Sequence, residues 1–97
     1  MAETVEARRE RARRQRAELA KVVNDYKAEQ GCQLCDEKDP RALDLHHHDP
    51  LGKINNVSNM VSSRMSLDSI KNEMEKCVVI CCNCHRKLHR DLIFEEA

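Results

Sequence analysis

The spacing of apolar positions changes from segment to segment along this chain, and each spacing predicts an element. Residues 3–29 lack Pro and Gly and are rich in Ala, Glu, Arg, Lys and Leu, all good helix formers. Within that stretch Leu19, Val22, Val23 and Tyr26 fall at i, i+3, i+4 and i+7, a single stripe that would dock the second half of the helix. The first half has almost nothing to bury. Gly31 is placed to end the helix. Leu43-Asp44-Leu45 alternates into His46, predicting a short strand with one buried face, and Asp49-Pro50-Leu51-Gly52 fits a type I turn that stops it. Residues 53–65 are mostly Asn, Ser and Lys anchored by Ile54, Val57, Met60, Val61 and Met65, which reads as a loop with room for a helical turn. Ser66 is a suitable N-cap for a helix to about Lys76 with Leu67, Ile70 and Met74 inward. Val78-Val79-Ile80 then predicts a buried strand, and a last helix should run from Asn83 or His85 toward Glu95 with Leu88 and Leu92 on its apolar side.

Composition makes this framework hard to hold together by packing alone. Ninety-seven residues make one small domain, with residues 1–30 as a basic helix and 31–97 as the folded body. There is no Trp, one Phe and one Tyr, and 35% of residues are charged. So thin a core calls for a staple. Six cysteines could form disulfides in a secreted protein or serve as thiolate ligands in a reducing compartment. The opening MAETVEARRERARRQR has no apolar signal region and no run reaches transmembrane length, so the expectation is a cytoplasmic chain with bound metal and no membrane. Formal net charge is zero, so any attraction to phosphate must be local. Arg8 to Arg16 holds six Arg against one Glu. That stretch reads either as a solvated helix end or as a basic arm along nucleic-acid backbone, and the helix could also meet a protein partner or a second copy.

Candidate chemistry gathers in two sets of side chains. Cys32/Cys35 and Cys81/Cys84 are two C-x2-C knuckles, the ligand supply of a tetrahedral structural Zn2+ site. Forty-five residues separate them, more than the roughly 15–20 of a zinc ribbon, so a whole substructure is inserted between the knuckles. Cys77 and Cys82 read as a small buried residue and an incidental knuckle residue. A thiol redox role lacks its βαβ context.

All five histidines lie in His46–His48 and in the His85/His89 pair. Spaced i and i+4 on a helix, His85 and His89 could share one ion. Arg86 stands where a zinc protease needs Glu, and a two-Cys, two-His finger needs about a dozen residues between Cys84 and His85, where there are none. Phosphodiester hydrolysis requires a base near neutral pH and a cation on the developing charge, and histidines can supply the first and hold the second. Adjacent strand residues point to opposite faces, so His46 and His47 can share a site only where the strand ends or bends.

LDLHHHDP, a gap, then KCVVICCNCHRKLH, bracketed by C-x2-C knuckles, resembles the zinc-stapled HNH endonucleases of the ββα-metal superfamily, many of them encoded by phages and bacteria. The resemblance covers about residues 31–90 and implies an α+β fold: a small ββα-metal domain stapled by a four-cysteine zinc site, preceded here by the long helix. It implies His46 and His85 as ligands of a catalytic divalent ion (Mg2+, Mn2+, Ni2+ or Zn2+), His89 as a third ligand, and His47 as the general base. The cysteines match the structural zinc site. DNA would be the substrate, with Arg86, Lys87 and Arg90 beside flanking phosphates. The central Asn of the motif, which positions the base-bearing loop in relatives, should fall near residue 76, where this chain has Lys76. Lys76 is therefore both a departure from the pattern and a candidate phosphate contact. The alternative is a zinc-stapled module that binds nucleic acid or protein without catalysis.

Overall fold

A computed structural model describes residues 3–88, apart from the side chain of Pro50. The expected stretch beyond residue 88, with His89, Arg90 and Leu92, lies outside the described residues. Helix α1 spans Val5–Gln30, close to the predicted range, with the Thr4 side chain accepting from the Ala7 amide at its start. At about 1.5 Å per residue α1 is ~39 Å long, and most of it stands clear of the body. Val23 is buried and Leu19 and Tyr26 pack beside it, so three of the four stripe residues dock, while Val22 is half-buried outside the core cluster. Gly31 closes the helix at φ 66°, a left-handed conformation that suits glycine, with its N–H donated to the Lys27 carbonyl at 2.8 Å.

Two strands follow, far apart in sequence and adjacent in space. Strand β1, Leu43–His47, pairs antiparallel with β2, Cys77–Cys81, with Leu43 opposite Cys81 and His47 opposite Cys77. Between them lie α2, Val57–Ser62, and α3, Leu67–Glu75. Residues 82–88 are helical. The Asp49–Gly52 turn forms as expected, with Gly52 N–H donated to the Asp49 carbonyl at 3.1 Å and the Leu51 amide to the Asp49 side chain at 2.9 Å.

Several details differ from the sequence reading: Ile54, expected to anchor the 53–65 stretch, and Leu88, expected on the apolar side of the last helix, are 75% and 38% exposed. Residues 57–62 form a helix of six residues rather than a loop with a turn, because Val57 and Met60, three apart, both reach the core. On α3, Ile70 and Met74 are buried as expected and Ser66 caps the helix, but Leu67 remains 38% exposed. Glu73 takes an inward position instead, 1% exposed.

The core has two parts. Val23, Val57, Met60, Ile70 and Met74 pack where α1, α2 and α3 meet. Cys32, Leu43, Val79, Ile80 and Cys81 pack around the knuckles. Tyr26 and Leu45 touch both. This α+β body holds a cysteine cluster at one end of the β1–β2 ribbon and a polar cluster at the other.

Candidate metal centre and histidine cleft

The four knuckle cysteines come together. The Sγ atoms of Cys32, Cys35, Cys81 and Cys84 all lie within 4.8 Å of one another, and Cys35 and Cys81 are 3.6 Å apart. A tetrahedral ion with metal–sulfur bonds of about 2.3 Å would set its sulfurs ~3.8 Å apart, so the cluster has the dimensions to hold a metal such as zinc. Backbone amides orient the sulfurs: Leu34 and Cys81 donate to Cys32 Sγ at 3.4 and 3.2 Å, and Cys84 to Cys81 Sγ at 3.4 Å. Such outer hydrogen bonds fix ligand direction and favour the thiolate.

The thiol acidities fit the same use. Burial would raise Cys32, but the amides of Cys81 and Leu34 outweigh it and bring the thiol down to about 6. Cys84 is pushed up to about 12, first by hydrogen bonding with Cys81, then by burial and by Cys35 and Cys32. Four neighbouring sulfurs resist joint ionisation, and a divalent cation is what removes that resistance. Cys77 is buried with its Sγ against the Glu73 carbonyl at 3.4 Å, and Cys82 is exposed; neither joins the cluster.

The histidines divide. β1 stays regular through His47, so His46 and His47 are on opposite faces of the same strand. On one face His46 and the helical His85 stack edge to face with ring centroids 4.9 Å apart, and His85 Nδ1 lies 3.4 Å from Asp44 Oδ2. Two of the three histidines matched to a catalytic ion are thus neighbours; His89 lies outside the described residues. On the other face His47 Nε2 meets Glu73 Oε2 at 2.7 Å, with side chains 9% and 1% exposed. Burial alone would raise the Glu73 carboxyl, but hydrogen bonds from His47, Lys76 and the Ile54 amide bring it to about 2. A carboxylate only accepts, so Nε2 of His47 carries the proton and, in the neutral ring, the lone pair sits on Nδ1.

His47 and His85, one from each group, line one cleft of about 670 Å³ between α1, β1 and α2, together with Asp44, Leu45, Asn56 and Lys27. A shallower depression of about 370 Å³ continues past Asp44, Cys82, His85 and Arg86. Arg86 is exposed there, and Lys87 is exposed next to it in sequence. Lys76 directs its ammonium inward, to the Gly52 carbonyl and to Glu73 Oε1, both at 3.1 Å. His48 extends the ladder by donating its backbone N–H to the Lys76 carbonyl at 3.1 Å.

Sequence reasoning missed Glu73 and Asp44. Ile70, Glu73 and Met74 share the inward i, i+3, i+4 spacing of α3, so an acidic residue on an apolar stripe was the available signal. Asp44 alternates with His46 along β1 and thereby shares its face.

Compared with family models, curated proteins and solved structures, the chain matches none. Among the described residues no helix is long and apolar enough to cross a membrane.

Proposed function

We propose that this protein is a metal-dependent endonuclease of the HNH type that hydrolyses DNA phosphodiester bonds. The observation that carries the reading is the buried His47–Glu73 pair on the wall of a cleft that His85 also lines. An imidazole oriented by a carboxylate, with its other nitrogen holding a lone pair, is suited to take a proton from water. His46 and His85, with His89, would hold the divalent ion that stabilises the developing phosphorane and the leaving oxygen. Arg86 and Lys87, on the helical segment beside that ion, would contact flanking phosphates together with Arg90. Zn2+ on the four cysteines would be structural, with all four positions filled by protein.

A second reading has its own support. Among the described residues the only group of three or more ligating side chains arranged around a common point is the cysteine cluster. A zinc-stapled module that binds nucleic acid or protein, with the histidines idle, would look the same.

Plasmid nicking separates the two. Zinc-loaded protein with added Mg2+, Mn2+ or Ni2+ should nick supercoiled plasmid, and His47→Ala should reduce the rate by about 10²–10⁴, the usual contribution of a general base. Unchanged cleavage by His47→Ala would sink the mechanism. Retained DNA binding without cleavage under any ion would favour the module.

A further inference from the structure

Glu73 is the single polar or charged residue in the buried set of the described chain. Removing an ionised carboxylate from water is expensive unless every oxygen is used. Here both are. Oε2 accepts from His47 Nε2 at 2.7 Å and from the Ile54 amide at 3.1 Å, while Oε1 accepts from Lys76 Nζ at 3.1 Å. Lys76 follows Glu73 by three residues, one helical turn, and its ammonium also donates to the Gly52 carbonyl at 3.1 Å. Its own backbone carbonyl takes the His48 amide.

These bonds converge on one segment. His47, His48, Gly52 and Ile54 are all tied to Glu73 or Lys76, although the chain from 49 to 56 belongs to no ladder or α-helix. Gly52 and Ile54 are held through main-chain groups that would otherwise need water. Leu51 and Ile54 are 95% and 75% exposed, so packing of their side chains does not hold this segment. The polar pair does.

We infer that Glu73 and Lys76 act together as positioning residues for His47: the carboxylate sets the imidazole's tautomer and direction, and the ammonium fixes the 49–56 segment beside it. The division of labour follows from chemistry. An ammonium can only donate and a carboxylate can only accept, so holding a carbonyl and an amide of one segment takes both side chains. Lys76 also supplies the neighbouring positive charge that keeps the buried carboxylate ionised. The catalytic consequence rests on the proposed role of His47, whereas the positioning itself can be read without any cleavage.

The test uses zinc-loaded full-length protein with ¹⁵N-labelled histidine, in long-range ¹H–¹⁵N spectra at about pH 8.5, where an ordinary imidazole is neutral. His47 should carry its proton on Nε2 in the wild type and in Lys76→Arg, which keeps the donor. In Glu73→Gln it should become a mixture of tautomers. Amide exchange gives a second measure: Ile54 should exchange at least about tenfold faster in Lys76→Met than in the wild type, with Lys76→Arg restoring protection. In nicking assays Lys76→Met should lower kcat with little change in KM, and Lys76→Arg should recover it. A wild-type His47 protonated on Nδ1, or an Ile54 amide indifferent to Lys76→Met, would overturn the inference. Wild-type protein that never nicks would remove the nuclease reading while the tautomer and exchange data still decide the positioning.

Discussion

The two ends of the β1–β2 ribbon solve the same problem in different ways. At the end where Leu43 meets Cys81, four sulfurs of one kind are brought together by two local knuckles, and backbone amides aim them. At the end where His47 meets Cys77, unlike groups from β1, the 49–56 segment and α3 complete one another through a buried charge. The cysteine end has the dimensions to hold one metal ion, with all four sulfurs supplied by the knuckles. The histidine end is finished by its own hydrogen bonds, yet it borders a cleft. The first is built as a staple, and the second has what the proposed base would need, because a base must be both fixed and reachable.

The contrast can be broken most forcefully at the cysteines. Cys32→Ser, or removal of metal by a chelator, should abolish the cooperative thermal transition, since metal binding supplies folding free energy to so small a core. A metal-free chain that melts like the wild type would contradict this. At the other end Glu73→Leu should cost about 3–5 kcal/mol in urea unfolding by leaving the His47 and Ile54 donors unmatched and Lys76 with only the Gly52 carbonyl, while zinc content stays unchanged. Lost zinc in that variant would show that the two ends are not separate.

Acid should sharpen the difference. The Glu73 carboxyl is lowered from an ordinary 4.5 to about 2, so its stabilising contribution is complete above 4.5 and disappears as pH falls toward 2. The stability gap between wild type and Glu73→Gln should close as pH falls from 4.5 toward 2, measured by urea midpoints. A gap that opens in acid would have the wrong sign. The smallest effect is expected at Asp44, whose side chain is 48% exposed beside His85. Asp44→Asn should change stability by about 0.5 kcal/mol or less.

Which parts were readable in the sequence follows from how each is built. The knuckles are short-range patterns, and two of them announce four ligands without any knowledge of the fold. The stripe on α1, the Ser66 cap and the Val78-Val79-Ile80 strand were largely legible, because each follows from a local period or cap. Glu73 was not, since its His47 and Ile54 partners lie 26 and 19 residues away and one of three acids on a nine-residue helix, beside Asp68 and Glu75, looks like a solvated one. Leu67 was misjudged as inward for the same reason: the helix is turned so that Glu73, rather than Leu67, is buried. Lys76 read as a gap in a motif where Asn was expected. Only the contact with Gly52 reveals what an ammonium can do at that position.

If, as proposed, zinc sits on the four cysteines and a second divalent ion at His46 and His85, the bound ions can be counted. Native mass spectrometry of the zinc-loaded chain, titrated with Mn2+ in the presence of a short DNA duplex, should show one ion that survives His46→Ala and a second that vanishes in that variant. A single ion under every condition, or a second ion indifferent to His46→Ala, would contradict the account.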